Sequence, residues 1–452
     1  MDRNVYRYFG SGSLRRSVLC LLIGWFGAPL GAHPVLSFTV ASHVEASKAH
    51  HEKSSSETFP LTVVLGHQYL TIDAKGVRTI YDFARNRMLR VDLQRKTYED
   101  YSLYSEIAFR VLEFYNRVML GKMLETMKTR PASVDAAMAE QLFSLAEDGS
   151  QTVLERKKSR GNTLFEWQNQ LLVSASDAQQ TLAAEYRREF WRFIRYYAGG
   201  HPQVLAALSG LSGVPEKMSF VRTNVKTETR TLTLRAISTP ADAPYSLEGF
   251  ALAMPDREPF KTLATVSVDD APAQWQAHVA AALKDRDLAF SQARFLDAML
   301  AQEEATLASG DPYLEWLQQV RDSMRGDAPT QRLISGLAAR DESSAQQAAA
   351  DFRALRDLKP QYSDVLDVFE GNELLSLKQG ERGERLLLAA LQENPYVTGA
   401  WHDLGDYYYR SFRMQDAWGC LDAARRMDAQ NPTLRQIDEL EQTLRAKNPD
   451  FF

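Results

Sequence analysis

The sequence predicts an α+β domain, a curved antiparallel sheet with covering helices, followed by an all-α region. Two observations give the first part: short runs alternate apolar and polar residues from Pro60 to Ile237, and they are interrupted by two long runs at helical spacing. A third gives the second: beyond Pro272 no strand pattern survives. A chain of 452 residues is too long for one ordinary core, so two or three domains are expected. Hydrophobic residues make up 44% and charged residues 25%, with a net charge of -5, the composition of a soluble globular protein with no basic surplus for nucleic acid.

Residues 1–32 read as an export signal. A basic start ends in Arg15 and Arg16, the apolar run "SVLCLLIGWFGA" follows, Pro29 breaks it, and Gly31 and Ala32 are small. The run is short for a membrane span, and no later segment is apolar enough for one. Pro29 blocks cleavage after Ala28, which favours cleavage after Ala32, with Ala41 as the alternative. The implied location is periplasmic or secreted. Cys20 leaves with the signal, so the mature chain keeps only Cys420 and no intramolecular disulfide.

Residues 33–58 are rich in Ser and His and predict a flexible lead-in. Within the α+β domain, 59–262, the runs "LTVVLG", "QYLTIDAKG", "VRTIYDFARN" and "RMLRVDLQRKTYED" predict a meander with turns at Lys75-Gly76 and Arg85-Asn86. A helix over 102–128 follows, with Ile107, Val111, Phe114 and Val118 on its apolar stripe. Strands return in "TVLERKKSRGNTLFEWQNQLLVSAS", turning at Gly161-Asn162. The helix "TLAAEYRREFWRFIRYYAGGHP" then stops at Gly199 and Gly200. The runs "KMSFVRTNV" and "TETRTLTLRAI" close the domain. Residues 263–272 read as a linker, and 273–452 as helices, beginning with 273–284 and 287–308, the latter stopped by Gly310.

The end of the chain repeats itself. Gly371, Leu374, Gly383, Leu387, Ala390 and Pro395 recur 34 residues later as Gly405, Tyr408, Ala417, Leu421, Ala424 and Ala429. A fainter copy lies 35 residues upstream in Gly336, Ala339, Ala348, Phe352, Leu355 and Pro360. Trp401, Leu404, Gly405 and Tyr408 complete a Trp-x2-Leu-Gly-x2-Tyr pattern. Residues 330–432 therefore resemble the tetratricopeptide repeat, a solenoid of helix pairs. The resemblance implies that the glycines sit where two helices of a pair cross, and that the large residues fill the gaps between helices. It also implies a partner-binding groove lined by the first helix of each pair, at Asn372, Leu375, His402, Asp403, Asp406, Tyr409 and Arg410. The family's carboxylate clamp needs more Lys, Arg and Asn than this set holds.

Enzymatic motifs are missing: no His-Glu-x-x-His, no Gly-x-Ser-x-Gly, no phosphate-cradling Gly-rich loop and no Cys pair. The sequence names no cofactor and no metal set. One metal arrangement stands open: cleavage after Ala32 would free an α-amino group on His33, which could chelate copper with His43, His50 or His51. The aromatic run from Tyr186 to Tyr197 reads as core, with a cavity lining as the alternative. Asp269-Asp270 and Glu303-Glu304 read as solvated faces. The meander, with its closing element around Lys96 and Tyr98, resembles the half-barrel of periplasmic lipoprotein carriers, and no functional residue carries over.

Together these features predict an exported, non-catalytic scaffold of the bacterial envelope that binds an unidentified protein partner through the repeat groove. The alternative is a carrier or sensor of an apolar ligand or lipoprotein in the α+β domain. A copper protein or enzyme using His33 comes third.

Overall fold

The computed structural model describes residues 33–45, 53–124, 135–147, 150, 154–224, 226–239, 245–265 and 271–452. The expected signal, His50, His51, Asp269 and Asp270 lie outside the described residues. The stretch expected to be a flexible lead-in instead supplies β1 (Val35–Val44) and the start of β2 (Ser55–Leu65). The cause is an alternation that the Ser-rich composition masks. Leu36, Phe38 and Val40 are at most 2% exposed, while Ser37, Thr39, Ala41 and His43 take the other face. Both edges of β1 are paired, to β2 on one side and to β13 (Thr227–Ser238) on the other.

The meander continues as expected through β3 (Tyr69–Ala74), β4 (Val77–Asp82), β5 (Arg87–Asp92) and β6 (Thr97–Ser102). Lys75 and Gly76 both adopt positive φ, 52° and 80°, the geometry a two-residue hairpin requires. On the far side run β7 (Glu155–Ser159), β8 (Asn162–Trp167), β9 (Gln170–Ser176) and β12 (Lys217–Thr223). Their first turn falls on Arg160 and Gly161, one residue before the predicted pair. With β14 (Ala251–Leu252) the described strands form a twelve-stranded sheet, ordered β14-β6-β5-β4-β3-β2-β1-β13-β12-β9-β8-β7. Among the described strands, only the β14 to β6 pairing is parallel. A separate ladder joins β10 (Gln179–Thr181) to β11 (Gly213–Pro215).

Among the described residues of this half, four α-helices form: α1 (Leu103–Leu124), α2 (Ala136–Phe143), α3 (Arg187–Tyr197) and α4 (Pro202–Ser209). The sequence predicts α1 and α3; α2 and α4 are too short to show a clear period. The aromatic run is core: Phe190 and Phe193 are buried, and Phe193 lies 5.7 Å from the ring of Phe38. Ile80, Leu89 and Val91, on the opposite face of the meander, are covered by Tyr245, Leu247 and Phe250. Tyr245 donates to Asp82 Oδ2 at 2.5 Å.

The second half is helical: α5 (Phe260–Leu263), α6 (Ala271–Ser291), α7 (Phe295–Ser309), α8 (Leu314–Val320), α9 (Ala328–Leu337), α10 (Glu342–Arg356), α11 (Ser363–Ser376), α12 (Gly380–Glu393), α13 (Thr398–Arg410), α14 (Met414–Met427) and α15 (Arg435–Lys447). The two helices expected over 273–308 begin as one unbroken helix through residue 291, and α7 ends at Gly310 with φ 71° as predicted. From α9 to α14, consecutive helices pack as pairs. The repeat register places equivalent residues in equivalent contacts. A Cβ on Gly336 would stand 2.7 Å from the Phe352 ring, one on Gly371 3.1 Å from Leu387, and one on Gly405 3.2 Å from Leu421.

The two halves share one continuous core, in which Trp401, Trp418 and Phe260 join the cluster that contains Leu36 and Phe193. Arg87 of β5 pairs with Asp422 of α14 at 2.6 Å, and Arg257 pairs with Asp416 at 2.9 Å.

Candidate functional site

Helix α1 stands at the junction. Its i, i+4 ion pairs Glu106 to Arg110 and Glu113 to Arg117, at 2.8 and 2.9 Å, support the helix from its flank. Ile107, Ala108, Phe114 and Val118 point into the core. Five other apolar residues do not: Phe109, Tyr115, Met119, Leu120 and Met123 are between 42% and 68% exposed, which is unusual for large apolar side chains on one helix. Between α1 and α15 lies a cavity of about 270 Å³. Its walls are mainly apolar, from Ala108, Val111, Leu112, Phe114, Tyr115 and Leu145 on one side and Leu440 and Leu444 on the other. Thr443, Lys447 and Asn448 add the polar groups. Tyr115 belongs both to this lining and to the exposed stripe.

The predicted groove residues fall on α11 and α13 and largely satisfy one another. Asn372 donates to Asp403 Oδ2 at 2.6 Å, His402 Nδ1 lies 3.3 Å from Asp403 Oδ1, and Asp406 pairs with Arg410 at 2.9 Å. The Asp403 contact raises the pKa of His402. Leu375 packs over Gly383. Tyr409 turns to the ring of Trp418, 5.9 Å away, and lines the α1 to α15 cavity. The repeat residues Ala390, Trp401, Leu404, Gly405, Tyr408, Ala417, Leu421 and Ala424 are buried, and the carbonyl of Pro395 accepts from Trp401 Nε1 at 2.8 Å.

Of the histidines in the expected copper arrangement, His33 and His43 are described, and they do not come together. His43 bonds to Ser56 at the other end of β1, about 30 Å of strand from His33. The ring beside His33 is His67, at 5.6 Å between centroids, with Tyr186 stacked on it. Among the described residues no group of three or more His, Cys, Asp or Glu side chains could hold a metal. Glu304, expected on a solvated face, is fully buried. His278 and the Asn394 amide both contact its Oε1, and burial beside Glu304 pushes the nearby Asp364 carboxyl up to about 7. The sequence shows Glu304 as one of a charged pair, and only the crossing of α6 with α7 reveals its inward direction. His67, the α1 cavity and the Glu304 cluster carried no sequence signal, because each joins residues far apart in the chain.

No protein-family model and no curated protein matches the chain. Among solved structures, one described as lipid-protein interactions in lipovitellin aligns with 94% of this chain at 10% identity and a TM-score of 0.19. The aligned part is 56% of lipovitellin, and a likeness this low carries no statement about fold or ligand. Within the described residues, no helix is long and apolar enough to cross a membrane. The chain thus pairs a large, mostly antiparallel sheet with a helical C-terminal half that closes against it.

Proposed function

We propose that this protein is a non-catalytic carrier or sensor of an apolar ligand, exported by the segment 1–32 and taking an acyl or similar chain into the seam between α1 and α15. The observation that carries this reading is the cavity of about 270 Å³, whose apolar wall continues through Tyr115 onto the exposed stripe of α1. The space between sheet and helices, where the sequence had suggested a ligand, is filled by Phe38, Phe190, Phe193 and Phe220. The seam is therefore the better place. Uptake of a fluorescent fatty acid tests it: the protein should bind saturably, and Val111→Trp, which fills the cavity, should abolish binding while the protein still melts cooperatively. Absence of saturable binding to the unaltered protein would reject the reading.

A second reading keeps the tetratricopeptide resemblance, with a protein partner on α11 and α13. It is supported by the 34-residue register of tight glycine contacts and by the polar network of Asn372, His402 and Asp403 on adjoining helices.

A further inference from the structure

On the other flank of α1 a second cavity, of about 360 Å³, is lined by Phe109, Arg110, Arg117, Phe143, Arg222 and Asn224, with Glu106, Glu113 and Leu142. Three chain segments meet there. Helix α1 contributes Arg110 and Arg117, α2 contributes Phe143, and β12 and its turn contribute Arg222 and Asn224. Arg230 stands behind them on β13 and binds the Tyr197 carbonyl at 2.7 Å.

The local charges do not balance. Glu106 takes Arg110 at 2.8 Å, Glu113 takes Arg117 at 2.9 Å, and Glu228 takes Arg230 at 2.8 Å. Glu228 also accepts from Ser42 at 2.7 Å. Arg222 is left with Glu228 at 3.9 Å, the weak limit of an ion pair, and its Nε is buried without a hydrogen-bond partner. Burial, together with the charges of Arg230 and Arg110, pulls its pKa down to about 10. Among the described residues around the cavity, four guanidinium groups thus share three carboxylates. The Arg222 side chain is about a quarter exposed, but its inner nitrogen is shut away from water, and a ligand that supplies the missing negative charge improves the pairing of a partly desolvated cation. Asn224 adds direction, because Arg117 donates to its Oδ1 at 2.7 Å and so leaves the amide N–H groups for an acceptor.

We propose that this pocket binds an oxyanion, a phosphate or carboxylate group, recognised by Arg222 and Asn224. The inference is independent of the apolar seam on the opposite flank of α1. A phosphate group could arrive as a free ion or as the head of a lipid, whose apolar part would suit the exposed Phe109 at the cavity wall. Guanidinium forks match both oxyanions in a way that no ammonium group does.

Three ligands separate the sources: inorganic phosphate, phosphatidylcholine vesicles containing phosphatidic acid, and vesicles of phosphatidylcholine alone. Calorimetric titration with phosphate should show saturable binding that Arg222→Gln weakens at least about tenfold, the loss expected for one charge-assisted contact. Arg235→Gln, an exposed arginine on β13, should leave it unchanged. Saturable phosphate binding assigns a free-ion site. Co-sedimentation with phosphatidic acid vesicles alone, lost in Arg222→Gln, assigns a lipid head. Binding of neither, equal binding by Arg222→Gln, or equal sedimentation with plain phosphatidylcholine overturns the proposal. Should Arg222→Gln fail to fold, Asn224→Asp places a negative charge at the exposed rim and should abolish the same binding.

Discussion

Tyr196 donates its hydroxyl hydrogen to the carbonyl oxygen of Phe451 at 2.8 Å, and the two rings meet edge to face at 5.4 Å. One residue lies on α3 beneath the sheet, the other at the far end of the helical half, and both are buried. Arg195 adds an ion pair to Asp450 at 2.6 Å. Replacing Phe451 with Ala removes a buried ring from between the halves and should cost about 3–5 kcal/mol. Chemical denaturation followed by sheet and helix signals should show both halves weakened together. A variant in which only the helices lose stability would mean that the contact does not couple them.

The glycine register makes a second prediction. Gly405→Leu forces a side chain into 3.2 Å of Leu421 and 3.3 Å of the Ala417 carbonyl, so overpacking should cost about 1–3 kcal/mol. A thermal melt identical to that of the parent would reject the helix pairing around this residue.

Asp364 supplies a pH test. Its carboxyl sits at about 7 in the fold against an ordinary 3.8, because burial and the charge of Glu304 oppose ionisation. The fold therefore holds the protonated form. Its contribution is complete below about pH 4 and is lost as pH rises through about 7. The groups that face it, Glu304, Glu393 and Asn394, with His278 against Glu304 and Asn394, remain when Asp364→Asn removes the proton-binding site alone. Melting temperature should fall with pH in the parent and stay flatter in the variant, with a difference on the order of a few kcal/mol. Parallel pH profiles would place the proton elsewhere.

The groove makes the fourth prediction. Replacing Asp403, Asp406 and Arg410 together should cost no more than about 2 kcal/mol, since the Asp406 to Arg410 pair is exposed while the Asn372 to Asp403 bond is part-buried. If α11 and α13 bind a protein partner, pull-down by this triple variant should fail. Retention of the same partner would remove this surface from consideration.

Much of the fold was legible because it is periodic. The meander from Pro60, the turn at Lys75 and Gly76, and the spacing of Gly336, Gly371 and Gly405 follow from local pattern. β1 escaped because three buried residues, Leu36, Phe38 and Val40, are too few to outweigh the serines and histidines after them. The candidate sites were less legible. Arg222 reads as an ordinary strand arginine, and its unbalanced charge appears only when β12 is laid beside α1. Tyr409 has the spacing of a groove residue, yet the closure of α15 on α1 turns it toward the seam.

The position of β1 also has a temporal meaning. Val35 pairs with Val64 on one edge and with Ser238 on the other. A ribosome adding about 5–20 residues per second reaches the second partner roughly 10–40 s after the first strand has emerged. Until then one side of the strand carries an open row of amides and carbonyls, the template on which a foreign strand can add. An edge left open for that interval needs cover, by a chaperone or by a temporary partner within the chain, before β13 arrives.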